Sequence, residues 1–273
     1  IGTSVCSDST AAHAELKRVR FHAATTAATQ GLAIVAASLH PTSLWEGQRM
    51  MLTEDRYREI VNRYGRIALD QYIYGMHVHV GIPGRYDRVR IMNALRAYSP
   101  VLIALTASSP YYEGRDTQYD SYRTVVWRRW PNSGIPPFFA STKEHDRYIA
   151  LLMESGAIVD PYNLYWSIRA HPGYPTLELR MTDIAPNVQE GAAVAGFARV
   201  LVVAAAEGEL PEEPFPQLSG SAAHALMSVN EWRAARGGLN AALVQPFGER
   251  VGMPMRAHID ALLEQLLPYA TAI

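Results

Sequence analysis

Two histidines separated by one residue, His77 and His79, stand in an otherwise apolar stretch from Tyr74 to Pro83. Because side chains in a β-strand alternate between its two faces, both imidazoles share one face with Gly75 and Gly81, and the intervening apolar residues point to the other. Glycine has no side chain, so another group can approach the backbone closely there. The pattern predicts the floor of a metal or ligand site, although a histidine in a strand is also often a packed or surface residue.

A second strand pattern, Pro175–Asp183, places Glu178 and Arg180 on one face and Leu177 and Leu179 on the other. One apolar side and one polar side are typical of a sheet with a packed face and a working face. An exposed cross-strand ion pair is the alternative, and such pairs are common and weak. Beside two imidazoles, a carboxylate and a guanidinium could hold Mg²⁺ or Mn²⁺ together with nucleotide phosphates. We expect the Glu178 side chain to lie outside the core, so that its removal leaves the fold intact.

A long segment without regular periodicity, Ser108–Pro137, is rich in arginine and aromatic residues and contains Arg115, Arg123 and Arg128. Loops of this length inside a compact domain are usually functional. Arginine beside aromatic rings can bind phosphate with its planar fork or stack on a base. A surface loop held by aromatic contacts and ion pairs would have the same composition. Neither a P-loop nor a G-x-G-x-x-G motif is present, so neither of those phosphate cradles applies.

Apolar spacing and capping residues predict the surrounding elements. The predicted helices are residues 9–30, 53–68, 87–107 with a break near Pro100, 142–156, 188–207, 221–236 and 255–269. Further strands are predicted at 32–38, where the chain is apolar enough to be buried, and at 164–169.

The composition limits the classes of protein and partner. With 273 residues, 48% of them hydrophobic, the chain can bury a large core. We predict a single domain over residues 1–273, with two closely fused domains as the alternative. A net charge of -1 provides no general attraction to nucleic acid or to an anionic membrane, so we predict neither as a partner. Cys6 is the only cysteine in the sequence, which excludes an intrachain disulfide and fits a cytoplasmic protein. The apolar run Ala192–Ala206 is short for a bilayer, which predicts a buried helix.

Eight short motifs occur in the same order in a known family. They are Gly75–Gly81, Ala107–Pro110, Gly114–Thr117, Tyr122–Trp127, Trp130–Pro131, Leu164–Trp166, Thr176–Arg180 and Asn230–Arg236. With these motifs the chain resembles the glutamate-cysteine ligase type 2 family of carboxylate-amine ligases. Their colinearity is far more specific than any one of them.

The resemblance implies an α+β fold with a curved, mainly antiparallel sheet backed by helices, similar to the catalytic domain of glutamine synthetase. It also implies a reaction in which ATP, with Mg²⁺ or Mn²⁺, phosphorylates a small-molecule carboxylate and an amine then attacks the acyl phosphate to form an amide. Such a transfer needs divalent metal ions and positively charged side chains around the phosphates. A homodimer is implied as well.

The resemblance also implies roles for individual residues. His77 and Glu178 would be metal ligands or partners of the ligands, and Arg180 and Arg123 would be catalytic. The residues implied to bind ATP or substrate are His79, Arg115, Arg128, Arg233 and Arg236.

Two departures from the family pattern stand out. Family members carry a strand with several glutamates, followed by a Gln-x-Glu, upstream of the position that corresponds to Ile1, and they usually have Asp where this chain has Ser167. The principal metal carboxylates are therefore expected on an N-terminal segment that precedes Ile1. The alternative is a homologue that binds without catalysing, as an accessory or assembly subunit.

Overall fold

The computed structural model describes residues 1–47, 53–248 and 251–270. The helices are α1 (Ser9–Ala28), α2 (Asp55–Tyr64), α3 (Arg66–Leu69), α4 (Arg88–Leu95), α5 (Ser99–Thr106), α6 (Tyr122–Trp127), α7 (Thr142–Glu154), α8 (Val188–Ala206), α9 (Gly220–Gly237) and α10 (Met255–Ala270). The strands are β1 (Val78–Gly81), β2 (Tyr111–Tyr112), β3 (Arg115–Asp116), β4 (Ser133–Gly134), β5 (Tyr165–Trp166), β6 (Ile168–Ala170), β7 (Thr176–Leu179), β8 (Ala242–Val244) and β9 (Val251–Pro254).

A three-stranded antiparallel sheet with the order β1–β7–β6 carries the candidate site. Its apolar face contains Val78, Val80, Leu177 and Leu179, which belong to the main core cluster. Helices α4 and α8 pack on this sheet. The other face is left for polar side chains, as the alternation of residue types predicted. The α+β class is thus confirmed, whereas the likeness to glutamine synthetase stays a prediction.

Capping side chains explain why several helices begin where they do. Asp8 accepts a hydrogen bond from the backbone of Ala11 at the start of α1, and Asn187 does the same for Glu190 at the start of α8. Such caps satisfy backbone N–H groups that have no partner within the helix. At the other end, α9 stops where Gly238 adopts a positive φ of 49°, which only glycine takes up readily.

Helix α8 is long and apolar enough, by length and composition, to cross a membrane. In the structure, however, α1, α4, α5 and α10 pack against it, and Ala198, Leu201 and Ala204 are buried in the main core. The predicted core helix is therefore confirmed, and α8 ends one residue earlier than expected.

The break predicted within 87–107 is also confirmed, with a different detail. Residues Arg96–Tyr98 form one turn of 3-10 helix between α4 and α5. Pro100 lies in the first turn of α5 and not at the break itself. At that position the missing N–H of proline has no intrahelical partner to lose, so the helix tolerates it.

The buried strand predicted at 32–38 is wrong. That segment has no strand, and its apolar side chains face solvent, with Leu32 65% and Val35 80% exposed. The only pairing recorded next to it, within the described ranges, is an isolated bridge between Leu39 and Ile73. An apolar run specifies a buried strand only if another strand edge and an apolar layer are available to it, and local sequence does not report either.

The segment 108–137 has more regular structure than its sequence indicated. It contains the hairpin β2–β3, the short helix α6 and strand β4, which pairs in parallel with β5. Elements of two to six residues are too short to show a hydrophobic period. The predicted strand 164–169 is interrupted at Ser167, and the hairpin β8–β9 was not predicted at all.

Candidate functional site

Five side chains meet on the polar face of the sheet, and we call them the Glu178 cluster: His77, His79, Arg169, Glu178 and Arg180. Glu178 Oε1 lies 3.1 Å from His77 Nδ1 and 3.5 Å from His79 Nε2, and it accepts a 2.8 Å hydrogen bond from Arg180 Nη1. Glu178 Oε2 accepts a 2.5 Å hydrogen bond from Arg169 Nε. Strand register explains the convergence, since Glu178 on the central strand stands opposite both His79 and Arg169.

The cluster is layered. Glu178, Arg169 and Arg180 are 2%, 4% and 5% exposed, whereas about a third of each histidine side chain is exposed, 34% for His77 and 35% for His79. The imidazoles therefore form the accessible surface over a buried carboxylate and two buried guanidiniums. This corrects the expectation that Glu178 lies outside the core: its neighbours on both adjacent strands cover it.

The charges of the cluster follow from these contacts. Burial alone would raise the pKa of Glu178, but the hydrogen bond from His77 and the charges of Arg180 and Arg169 outweigh it and hold that pKa well below the ordinary value of 4.5. Burial lowers the pKa of both histidines below 6.5, although Glu178 opposes the shift. Burial also lowers the pKa of Arg180 to about 10. At neutral pH the cluster thus has one negative and two positive charges beneath neutral imidazoles, which suits an anionic ligand.

The tautomer of His77 follows from its partner. An ionised carboxylate can only accept a hydrogen bond, so His77 Nδ1, 3.1 Å from Glu178, carries the proton and Nε2 carries the lone pair. A carboxylate that orients an imidazole in this way is the usual partner of a histidine metal ligand.

We tested whether these residues fit Mg²⁺ or Mn²⁺. His77 Nε2 suits one ligand position. Glu178 fits the part of orienting His77 better than that of a ligand, because both of its oxygens already accept hydrogen bonds from arginine. Within the described residues, no group of three or more His, Cys, Asp or Glu side chains is arranged to hold a metal ion. The metal-binding roles of His77 and Glu178 stay predictions.

Arg169 is the member of the cluster that sequence reasoning did not assign. It shares a strand face with Tyr165 and Ser167 in the alternation of residues 164–169, which was the available signal. What the sequence did not contain was the pairing of β6 with β7, which brings Arg169 opposite Glu178. Arg169 also donates to the backbone oxygens of Tyr162 and Leu164, at 2.9 and 3.0 Å, so its position is tightly defined.

Arg123 lies behind the cluster. Its side chain is 1% exposed, and it donates from Nη1 to Met181 O at 3.1 Å and from Nη2 to Arg180 O at 3.0 Å. The guanidiniums of Arg123 and Arg180 lie 5.6 and 5.4 Å from the centre of the Trp127 ring, a cation–π distance. These contacts anchor the chain just after β7, and the catalytic role of Arg123 stays a prediction.

Gly75 is the point where the backbone lets Arg123 approach. A Cβ at this position would lie 2.7 Å from Arg123 Cζ, whereas a Cβ at Gly81 would meet nothing within 4 Å. Because Arg123 is buried and bonded to two carbonyls, its guanidinium has little freedom to move away. We expect Gly75→Ala to reduce the free energy of unfolding by about 2 kcal/mol, in the range of other overpacked sites. Urea unfolding measures it, and the matched control Gly81→Ala should change stability by less than about 0.5 kcal/mol. Equal effects of the two substitutions would contradict this packing.

Arg128 belongs to a second buried group, centred on Glu231. Arg128 forms an ion pair with Glu231, which is 1% exposed. Glu231 also accepts hydrogen bonds from the hydroxyls of Ser99 and Ser167, the latter at 2.8 Å. Ser167, at the position where the family resemblance implies Asp, is therefore a donor to a buried carboxylate in this chain.

The other three predicted arginines are not brought to the cluster. Arg115 is exposed on the hairpin β2–β3, Arg233 donates to Ala242 O at 2.9 Å, and Arg236 donates to Gln118 O. In the part of the chain that the structure describes, no hydrogen bond or ion pair joins them to the Glu178 cluster. Their binding roles stay predictions.

The fold and the cluster together define an α+β protein with histidines over a positively charged sheet face. The chain belongs to glutamate-cysteine ligase family 2 (GCS2), whose sequence model matches residues 1–269.

Proteins of several bacteria are similar to this chain in sequence. The chain is 37% identical over 264 residues to a protein of Chloroflexus aggregans and 36% identical over 263 residues to one of Roseiflexus castenholzii, both named "Putative glutamate--cysteine ligase 2". It is 34% identical over 272 residues to the "Putative glutamate--cysteine ligase 2-2" of Mycobacterium sp. strain KMS. These alignments cover 97%, 96% and 99% of this chain and 66%, 68% and 73% of the relatives. The chain thus spans about two thirds of the length of the Chloroflexus relative.

Proposed function

We propose that the protein is an ATP-dependent carboxylate-amine ligase that joins glutamate, or a related acid, to an amine such as cysteine. Membership of the family and the names of the relatives support this reaction class. We place the reaction site on the sheet face because of the Glu178 cluster, where accessible imidazoles lie over two guanidiniums and one carboxylate. A polyphosphate needs such an excess of positive charge around it.

The proposed reaction has two steps. A carboxylate oxygen of the acid attacks the γ-phosphorus of ATP, and ADP leaves, which forms an acyl phosphate. The amine then attacks the acyl carbon, phosphate leaves, and the nitrogen loses a proton to give the amide. In both steps negative charge is held on phosphate oxygens, so fixed positive groups in a site shielded from water stabilise the transition states.

The residues of the chain contribute as follows. Arg169 and Arg180 supply positive charge from beneath, and Glu178 keeps them and His77 in place through the hydrogen bonds described above. His77 Nε2 would hold the Mg²⁺ or Mn²⁺ that accompanies ATP, with nucleotide oxygens and water as further ligands. When bound, that ion neutralises phosphate charge.

The family resemblance supports two further parts of the proposal, a sheet continued as in the catalytic domain of glutamine synthetase and a homodimer. A location in the cytoplasm is proposed as well, because a sequence with a single cysteine fits a reducing compartment. Cross-linking and light scattering of the purified protein test the homodimer.

The reaction is tested by incubating the protein with ATP, MgCl₂, glutamate and a panel of amines that includes cysteine, while ADP is monitored. We expect ADP to form only when both an acid and an amine are present. An amide product of the two should form with it, and mass spectrometry detects this product. Hydroxylamine should trap the acyl phosphate as a hydroxamate. Absence of ADP with every pair would overturn the proposal, and ATP binding without ADP formation would identify a homologue that binds without catalysing.

The histidines give a sharper prediction about binding. His77→Ala and His79→Ala should each weaken the binding of Mg²⁺–ATP by about tenfold, because each removes a contact to a highly charged ligand. His79→Ala should change the free energy of unfolding by less than about 0.5 kcal/mol. His77→Ala also removes the hydrogen bond to the buried Glu178 carboxylate, so it should lower the free energy of unfolding by about 1.5 kcal/mol. Isothermal titration calorimetry measures the affinity, and His22→Ala, an exposed histidine of α1, is the matched control. Unchanged ATP affinity in both cluster variants would exclude this face as the nucleotide site.

A further inference from the structure

Three aromatic side chains form a group beside the Glu178 cluster, and we call them the aromatic platform: Tyr162, His171 and Tyr174. The rings of His171 and Tyr174 are stacked, with centroids 4.8 Å apart and an interplanar angle of 15°. The Tyr162 ring lies 5.7 Å from His171. Two of the three belong to the turn between β6 and β7, the strands that carry Arg169 and Glu178.

The turn of the platform is held in one conformation. His171 Nδ1 accepts hydrogen bonds from the backbone N–H groups of Gly173 and Tyr174, at 3.1 and 3.0 Å. From below, Arg88 Nη1 donates to the backbone oxygens of His171 and Tyr174, both at 2.9 Å. A Cβ on Gly173 would lie 2.7 Å from the hydroxyl oxygen of Tyr162, so glycine allows this tyrosine to pack against the turn. A ring fixed in advance loses little conformational entropy when a ligand stacks on it.

The platform is accessible and adjoins the charged site. Tyr174 is 63% exposed and Tyr162 is 44% exposed, although His171 between them is 7% exposed. The ring of His79, a member of the Glu178 cluster, lies 5.1 Å from His171 and 6.4 Å from Tyr174. His79 is therefore a direct link between the positively charged sheet face and the aromatic rings. A packing role for the ring stack accounts for the inner face of Tyr174 but not for its open outer face.

We propose that the aromatic platform is the subsite for the purine base of the nucleotide, with the base stacked on the outer face of Tyr174. The inference rests on the proposed function, because it assumes that the phosphates of ATP occupy the adjoining Glu178 cluster. A polyanion-binding surface next to rigid exposed rings matches the two chemical parts of a nucleotide. Stacking of a base on an aromatic side chain changes affinity by about tenfold or more.

Tripolyphosphate separates the two parts, because it carries the phosphates of ATP without the base. Affinities of ATP and tripolyphosphate, each with Mg²⁺, are measured by calorimetry for the wild-type protein and for Tyr174→Ala and Tyr174→Phe. Tyr174→Ala should weaken the binding of ATP about tenfold and leave the affinity for tripolyphosphate unchanged. Tyr174→Phe keeps the ring and should retain the affinity for ATP. The control Tyr111→Ala removes an exposed tyrosine of β2 and should change neither ligand.

The outcomes distinguish this inference from the proposed function. If wild-type protein binds ATP and Tyr174→Ala binds it equally well, the base subsite is excluded while the ligase proposal stands. If Tyr174→Ala weakens the binding of ATP and of tripolyphosphate by the same factor, the turn acts on the phosphates and the base subsite is again excluded. If wild-type protein binds tripolyphosphate but binds ATP no more tightly, stacking contributes nothing at this surface. Failure of the wild-type protein to bind ATP at all would overturn the proposed function itself.

Discussion

Removal of the Glu178 carboxylate should destabilise the protein more than any other single change in the cluster. Glu178→Ala leaves Arg169 and Arg180, 4% and 5% exposed, without the carboxylate that pairs with both. Loss of one partner of a buried ion pair typically lowers the free energy of unfolding by about 3–5 kcal/mol, because an uncompensated charge remains buried. We expect a loss in this range at pH 7, measured by urea denaturation followed by circular dichroism.

Glu178→Gln is the matched control, since it keeps the volume and one acceptor but removes the charge. Glu178→Gln should lower the free energy of unfolding less than Glu178→Ala, which also creates a cavity. It should lower it more than His77→Ala, because the His77 side chain is partly exposed. A loss below about 1 kcal/mol in both Glu178 variants would show that the ion pairs are not formed as the structure has them.

The pH dependence provides a second readout for Glu178. The folded-state pKa is well below the ordinary value of 4.5, so the carboxylate stabilises the native state fully above pH 4.5. As the pH falls below that value the unfolded chain takes up the proton first, and this stabilisation is progressively lost. The stability difference between wild type and Glu178→Gln should therefore narrow as the pH is lowered from 5 to 3. A difference that is constant over this range would contradict the lowered pKa.

Ser167→Asp should produce the second large effect. The Ser167 hydroxyl donates to Glu231 Oε1 at 2.8 Å, and the two residues are 5% and 1% exposed. An aspartate would replace this donor with a second negative charge in a buried place where Arg128 already pairs with Glu231. We expect a loss of about 3 kcal/mol in the free energy of unfolding at pH 8, the scale of an unpaired buried charge.

Ser167→Asn is the control for shape, because it has nearly the same volume without the charge. The difference between the Asp and Asn variants should shrink as the pH falls, since two adjacent carboxylates share one proton in the native state and the native state then binds more protons than the unfolded chain. Urea denaturation at pH 8 and at pH 5 measures the free energy of unfolding of both variants. Equal stability of the two variants at pH 8 would show that the surroundings of Glu231 accept the extra charge. The result also tells whether this chain tolerates the aspartate that the family resemblance implies at this position.

Several parts of the site could be predicted from residue order alone. Period-two alternation placed His77 and His79 on one face, and Glu178 and Arg180 on the polar side of their own strand, opposite Leu177. The covalent geometry of an extended chain enforces this alternation whatever the strand pairs with, so local sequence is sufficient. The glycine at position 75 was likewise expected to admit a close neighbour, although its identity as Arg123 was not foreseeable. The family was identified from eight motifs in order, and the family comparison confirmed it.

Other features depend on which segments meet. Arg169 became a partner of Glu178 only through the pairing of β6 with β7, and Glu178 is buried because strands cover it on both sides. Arg233 and Arg236, which are three residues apart, were expected at the site, but Arg233 donates to the backbone oxygen of Ala242 in β8 and Arg236 to that of Gln118. A side chain's neighbours from distant parts of the chain decide its burial, charge partner and pKa, and none of these can be read from spacing along one strand.

The sequence by itself determined the family, the helices with strong apolar periods and the face on which each candidate side chain lies, because those properties are set by residue type and local geometry. The tertiary structure decided that residues 32–38 pair with no strand of the described ranges, that Glu178 is covered, and that Arg169 completes its ion pairs. The covering of Glu178 requires segments about a hundred residues apart to find each other, as the antiparallel pairing of His79 with Glu178 shows. Burial and electrostatic pairing are properties of such contacts between distant segments, and the folded chain alone establishes them.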